Sequence, residues 1–425
     1  MDLSGKIINE FETTPMKGLI EKPEPQNAPS NLAVLGRYIL PPELLDVLEN
    51  TNPGVGGEIQ LTDALSEIQA KDGLNAVITD ADVYDCGNKL GYLSANLAVG
   101  MQDPKSRASI IQLFNDLIND LSSRNVYSIL DYSVEGLENE RSFDETVSRT
   151  LNLIKLNTNN NFPFIVFKPT GVGRFNLYNK VSSKVKLSEI ENIEWLKVLN
   201  RYNTICDTAL SNNVSVLIDA EESWIQSSID KIYESLVLKY NSKKAIVYNT
   251  VQAYRVDRLQ YLKKLHHSFS NKDVHLGIKL VRGAYMEKER ARAKALNYLD
   301  PIHKSKEDTD KCFNDSMLYM FENVNLFSIF IGSHNEVSNY LALEYINNYS
   351  IKKHKVWFSQ LFGMSDHISF NLANQGYNVA KYLPFGPVKD VMPYLIRRAE
   401  ENTSVAGQTS RELALIKKEK RRRNV

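Results

Sequence analysis

Residues 278–285 read Ile278-Lys279-Leu280-Val281-Arg282-Gly283-Ala284-Tyr285, IKLVRGAY. An apolar, β-branched run carries one Lys and stops at an Arg, two small residues and an aromatic. A short run of this kind bounded by breakers reads as a buried strand. The fold then turns on whether the run has sisters, and seven more occur after Asn125. They are VYSILDY (126–132), FIVFKP (164–169), NVSVLIDAE (213–221), AIVYNTVQ (245–252), FSIFIGSH (327–334), KVWFSQL (355–361) and NVAKYLPF (378–385), with HLGIKLV (275–281) as the fifth of the eight. Between them lie segments with apolar residues at three- and four-residue intervals, such as IEWLKVLNRYNTICDTAL and YLKKLHHSF, which predict amphipathic helices. Regular alternation of this kind implies parallel strands joined by right-handed crossovers. Eight units over about 300 residues suit a closed (β/α)8 TIM-like barrel. An open doubly wound sheet is the alternative, and the lack of a GxGxxG after the first run weighs against it.

The ends of the eight runs are polar. Asp131 and Glu135 follow the first, Lys168 ends the second, and Asp219, Glu221 and Glu222 end the third. Gln252 ends the fourth, Lys279, Arg282 and Tyr285 surround the end of the fifth, His334 and Asn335 close the sixth, Gln360 the seventh and Tyr382 the eighth. Singly, each is more often a solvated loop residue. In a barrel, however, the C-terminal ends of all strands meet on one face, where active sites are built. That placement explains the opening stretch: Gly283 and Ala284 leave the backbone bare for a flat ligand. Lys279 and Arg282 bring positive charge to where a ligand could accumulate electrons, and Tyr285 offers a stacking face with a hydroxyl.

The segment VKDVMPYLIRRAEEN (388–402) predicts a helix after the eighth run, with Pro393 near its first turn. Tyr394, Arg397, Arg398 and Glu401 then fall on or near one face. Adjacent guanidinium groups can hold a carboxylate through bidentate, charge-assisted bonds. On the outside of a helix the same pair would be a solvated Arg–Arg bridged to Glu401; over a barrel mouth it becomes a clamp.

At 425 residues the chain is long enough for two or three domains, and 43% hydrophobic with 24% charged residues suits a soluble globular protein. No apolar run reaches the roughly 18 residues of a membrane span, and the N-terminus lacks a secretory pattern, so a cytoplasmic protein is expected. Cys86, Cys206 and Cys312 show no metal-ligand spacing, which predicts buried free thiols and no metal site. The zero net charge is divided: residues 1–122 hold 8 Lys and Arg against 18 Asp and Glu, and the remainder 43 against 33. An amphipathic helix, SIIQLFNDLINDL, runs into Ser122, and the domain boundary is expected there, separating 1–122 from 123–425.

From about Val126 to about Gly407 the chain resembles the proline dehydrogenase family, in the motifs KLVRGAY, VQAY (251–254), IDAEE (218–222), SHN (333–335), LFGM (361–364) and YLPFG followed by YLIRRAEEN. The resemblance implies an FAD-dependent enzyme that oxidises L-proline to Δ1-pyrroline-5-carboxylate and passes electrons to a membrane quinone. Arg397 and Arg398 would hold the substrate carboxylate, Tyr382, Tyr394 and Leu361 would pack around its ring, and Lys168, Asp219 and Tyr285 would frame it. Gln252, Lys279, Val281, Arg282, Gly283, Ala284, His334, Asn335 and Glu401 would contact the flavin or its tail. Asp131 or Glu135 would pair with Arg397 or Arg398 and gate the site. Some members carry Arg at the position of Lys279 and Lys at that of Arg282, so the charge is kept and the bidentate contact is not.

Residues 1–122 are similar to the C-terminal portion of bacterial UTP–glucose-1-phosphate uridylyltransferases, in EKPEPQNAPSNLAVLGRY, GGEIQLTDAL and DCGNKLGYLSAN. In that family the positions of Glu21 and Lys22 contact sugar and phosphate, and those of Gly57, Glu58 and Asp85 line the site. The nucleotide-binding loop and metal-holding Asp belong to a half that this segment lacks. An incomplete α/β nucleotidyltransferase-like fragment ahead of the barrel is therefore expected, with transferase activity, or an impaired flavin-binding fusion, as the alternatives to proline oxidation. The terminal KKEKRRRNV is a basic run that reads as a solvated tail or a peripheral contact with anionic lipid. No basic face interleaved with aromatics supports nucleic-acid binding.

Overall fold

Eight short runs rich in Val, Ile, Leu and Phe make the walls of one barrel. The structure is a computed structural model and describes residues 2–3, 13–20, 23, 27–30, 32–53, 57–78, 83, 86, 89–132, 134–156, 162–386, 417–418 and 420–423. The chain divides into two compact units, Met1–Asn96 and Leu97–Val425.

In the first unit, strands β1 (Asp2–Leu3), β2 (Thr13–Gly18) and β3 (Asn75–Val77) form a small antiparallel sheet in that order. Helices Leu44–Asn50 and Leu61–Asp72 supply a core of Leu44, Ala64, Leu65 and Ile68. Gln69 donates from Nε2 to the Met16 carbonyl at 3.1 Å, which ties the second helix to β2. Gly57 and Glu58 are exposed, while Glu21, Lys22 and Asp85 lie outside the described residues.

The second unit holds β4 (Val126–Tyr132), β5 (Phe164–Phe167), β6 (Ser215–Ile218), β7 (Val247–Gln252), β8 (Leu276–Val281), β9 (Phe327–Gly332), β10 (Val356–Leu361) and β11 (Asn378–Phe385). Each pairs in parallel with its neighbour in sequence, and β11 returns to β4 through Tyr382 opposite Ile129 and Pro384 opposite Asp131. All eight predicted strands are present in a closed barrel. Their ends fall short of the predicted runs at Lys168-Pro169, Asp219–Glu221 and Ser333-His334, where the ladder stops and the chain passes into the loops that follow the strands.

Strand side chains alternate between faces. One set, with Ile129, Phe164, Val166, Leu217, Tyr248, Phe330, Ala380 and Tyr382, fills the barrel interior. Phe164 meets Tyr248, Phe330 and Trp357 edge-on at centroid distances of 5.4, 5.0 and 4.9 Å and closes the floor. Gly277 is required there, because a Cβ would come within 2.5 Å of the Val247 carbonyl and 2.7 Å of the Tyr248 ring. The other set packs outward against the surrounding helices.

The predicted helices sit around this wall. Glu189–Ser211 opens with a capping box between Ser188 and Glu191, and Arg258–Phe269 turns Leu262, Leu265 and Phe269 inward. Pro104–Ser123 starts with Asp103 accepting from the Ser106 amide at 2.7 Å and Pro104 at its first position. This helix corrects the expected boundary at Ser122. Its Ile118 and Leu121 belong to the barrel's core, a burial of roughly 1.5–3 kcal/mol per side chain, so the division falls earlier, at Asn96/Leu97.

Candidate active site

At the C-terminal ends of the strands, polar side chains replace the apolar filling. Lys168 directly follows β5, Asp219 follows β6, and Lys279 lies on the interior face of β8 in step with Gly277 and Val281. The Lys168 Nζ donates to Asp219 Oδ2 at 3.0 Å, and Lys279 Nζ binds the other carboxylate oxygen, Oδ1. Lys279 also donates to the Tyr382 hydroxyl of β11 at 3.0 Å. One buried network therefore spans the mouth from β5 to β11.

Its charges are fixed by mutual attraction. Burial would raise the carboxyl of Asp219, but the Lys279 and Lys168 ammonium groups hold it at about 2. Burial likewise opposes the charge on Lys168, yet the field of Asp131, Asp219, Tyr285 and Glu135 carries its pKa well above the ordinary lysine value. Taking three charged groups out of water carries a desolvation cost that good geometry only offsets, so such a cluster is weak as a stability device. Perturbed, buried charges at a barrel mouth make this cluster the candidate site.

A second group holds the loop after β4. Tyr285 donates to Glu135 Oε2 at 3.2 Å, and Asp131 is buried at the strand's end. The Gly136 amide donates to Thr170 Oγ1 at 2.9 Å, and Thr170 in turn donates from Oγ1 and N to the two carboxyl oxygens of Glu221 at 2.5 and 2.8 Å. Gln252, ending β7, donates from Nε2 to the Glu221 carbonyl at 2.8 Å. Burial dominates over the Thr170 bonds at Glu221, and with Glu222 and Glu135 nearby its carboxyl is pushed up to about 8. Glu222 pairs with Lys288, and Glu289 accepts from the Ser223 amide and hydroxyl, both at 2.6 Å, which docks helix Met286–Ala295 on the start of helix Ser223–Tyr240.

The IKLVRGAY stretch behaves differently from the strand it ends. Leu276–Leu280 are buried, whereas Val281–Tyr285 are each partly exposed. Gly283 adopts φ +136°, and a Cβ there would lie 2.4 Å from the Tyr254 ring. The Arg282 guanidinium is bound by Asp310 at 2.6 Å, Ser333 at 2.7 Å and Ser338 at 3.0 Å, over the Phe313 ring. On β10 and beyond, the Leu361 amide donates to His334 Nε2 at 3.4 Å, and His334 Nδ1 lies 3.0 Å from the Ser365 hydroxyl. Asn335 accepts from the Ser338 amide and so caps helix Glu336–Asn348. Among the described residues no group of His, Cys, Asp or Glu gathers as a metal site would need.

The structure thus brings Lys168, Asp219, Lys279 and Tyr382 into one network, Glu135 to Tyr285, and Leu361 to His334. Tyr394, Arg397, Arg398 and Glu401 lie outside the described residues. Two residues were missed in the sequence: Thr170, one position past the strand-ending Lys168-Pro169, and Lys381, hidden inside an apolar run.

A closed parallel barrel with buried, ion-paired side chains at its strand ends is the architecture of barrel enzymes. The family model described as Proline dehydrogenase matches residues 114–411, and the chain belongs to that family. Among curated relatives, the carbapenem antibiotics biosynthesis protein CarD of Pectobacterium carotovorum is 33% identical over 306 residues, covering 72% of this chain and 80% of its own length. Mitochondrial proline dehydrogenase 1 of Arabidopsis thaliana is 38% identical over 254 residues, 58% of this chain and 51% of that one, and the Homo sapiens protein is 35% identical over 236 residues, 54% and 39%. The chain therefore spans about half or less of these two proline dehydrogenases. Proline utilization A (PutA) from Bdellovibrio bacteriovorus, inactivated by N-propargylglycine, shares the fold with a TM-score of 0.61 at 18% identity, over 68% of this chain and 31% of that one.

Proposed function

We propose that this chain is an FAD-dependent dehydrogenase that oxidises L-proline to Δ1-pyrroline-5-carboxylate and delivers the electrons to a membrane quinone. The observation that carries the reading is the buried Lys168–Asp219–Lys279–Tyr382 network at the mouth of a proline dehydrogenase-family barrel.

The residues present fit a flavin. Val281–Ala284 are partly exposed, Gly283 lies against the Tyr254 ring where no side chain would fit, the neighbouring strand ends offer the Gln252 amide and His334, and Lys279 places an ammonium group beside them. Gln252, Lys279, Val281, Gly283, Ala284 and His334 would hold the ring system, with Arg282, Asn335 and Glu401 toward the tail. Since the Arg282 side chain is already bound to Asp310, Ser333 and Ser338, its part is its backbone and its charge. When bound, FAD supplies the acceptor for the two electrons leaving the substrate.

The product's C=N bond defines what the protein must arrange: a hydride would leave Cδ for the acceptor that FAD supplies, and the ring nitrogen would give up its proton to solvent. In this reading Arg397 and Arg398 grip the carboxylate and orient the ring, while Tyr382, Tyr394 and Leu361 wall it and exclude water. Lys168 stays an ammonium group and Asp219 a carboxylate, because each stabilises the other's charge. They act as fixed charges and move no proton. Lys168 and Lys279 favour negative charge accumulating beside them, an effect strengthened in a water-excluded site. Asp131 or Glu135 pairs with the arginines and closes the mouth.

The basic segment at 417–423 draws the chain to anionic lipid, where a quinone would be found, at about 1 kcal/mol per basic residue near the surface. Sedimentation with anionic vesicles, with and without the tail, tests this. The catalytic reading is tested by incubating the purified chain with L-proline and a soluble quinone: it predicts proline-dependent quinone reduction with one pyrroline formed per quinone consumed. Quinone reduction that does not depend on proline would overturn it.

A further inference from the structure

We propose that Lys381 is a positioning residue for the substrate wall, locking the loop 361–366 so that Leu361 keeps its place at the mouth. The inference rests on the reading that this mouth binds proline.

Lys381 sits on β11 between Ala380 and Tyr382, both of which face the barrel interior, so its side chain points outward. It is 0% exposed. A buried ammonium group needs partners, and all those that its Nζ has among the described residues lie in one loop: the Met364 carbonyl at 2.5 Å, the Asp366 carboxylate at 2.7 Å and the Leu361 carbonyl at 3.4 Å. The loop has reason to need fastening. Gly363 has φ +76° and Ser365 φ +53°, the latter a left-handed conformation that a serine holds only when its surroundings impose it. From the rim side, His334 contacts the Leu361 amide and the Ser365 hydroxyl. Lys381 grips the same loop from behind, sharing Leu361 with the histidine and adding Met364 and Asp366, and its neighbour Tyr382 belongs to the network with Lys279. The loop is therefore clamped between a rim histidine and a buried lysine, with Leu361 at its start.

The test is a double-mutant cycle on the full-length protein, with Lys381→Met and Leu361→Ala made singly and together. Lys381→Met keeps the length and apolar stem while removing the donors. The inference expects its KM for proline to rise about tenfold with kcat within about threefold and bound flavin retained, since misplacing a substrate-orienting group acts mainly on productive binding. The double variant should be no worse than Leu361→Ala alone, because residues acting through one contact are not additive. Should Lys381→Met fail to fold, Asp366→Ala, which removes an acceptor on a half-exposed residue, takes its place in the same cycle with a smaller rise expected. A KM unchanged by the variant, or effects that add, would overturn the inference while leaving proline oxidation intact. A flavin-loaded wild-type chain that ignores proline would remove both.

Discussion

Lys168 and Asp219 are joined by a 3.0 Å bond between Nζ and Oδ2 at the top of the barrel, with Lys168 buried and Asp219 nearly so. Removing Asp219 strands two ammonium groups, because Lys279 shares the same carboxylate. Replacing Asp219 by Ala should therefore destabilise the fold by about 3–5 kcal/mol, read as a large drop in melting temperature. Because the folded carboxyl titrates at about 2, its contribution is present above the ordinary carboxyl range and is lost as pH falls toward that value. A variant that melts with the wild type would show that the network is not what keeps these groups buried.

Gly283 carries the second prediction. With φ at +136° and the Tyr254 ring 2.4 Å from any Cβ, Gly283→Ala must displace either the ring or the rim backbone. The purified variant should bind substantially less flavin than wild type, measured as the visible absorbance per mole of protein. Full flavin content would mean that the ligand does not lie against this backbone.

Glu221 makes stability depend on pH in the opposite sense to Asp219. Its carboxyl, buried on Thr170, is raised to about 8, so the folded state favours the proton. That stabilisation is complete below the unfolded carboxyl pKa and is lost as pH rises through about 8. The wild-type melting temperature should fall between about pH 6 and about pH 9, and Glu221→Gln, which cannot ionise, should fall less. Parallel curves for the two proteins would assign the pH effect elsewhere.

Much of this architecture was legible in the sequence, and for identifiable reasons. Parallel strands buried on both faces, such as FIVF and SVLI, are continuous apolar runs that announce themselves. Lys168, Asp219 and Lys279 stood out because all eight strand ends are polar, although each alone reads as a solvated loop residue. Their mutual pairing was not legible, since which ends touch depends on barrel stagger rather than on spacing along the chain. Arg282 shows the limit most clearly: its position in the motif gave its charge a place, and nothing in the spacing gave its partners Asp310 and Ser333. Lys381 was passed over because strand alternation gives a buried lysine no signature apart from its neighbours. The boundary at Ser122 was placed from charge, which says nothing about where Ile118 and Leu121 pack.

Glu135 accepts from Tyr285 on a loop anchored at Gly136 to Thr170. If this loop gates the mouth, Glu135→Ala should raise the KM for proline severalfold while the flavin spectrum is unchanged. An unaltered KM in steady-state kinetics would remove Glu135 from the gate.

The central claim is that these strand ends bring proline against a flavin, and the absorption spectrum of the purified chain under anaerobic conditions tests it most directly. A yellow protein whose visible band bleaches on addition of L-proline, and recovers on addition of quinone, is the result predicted. A band that stays unchanged in saturating proline would contradict the account.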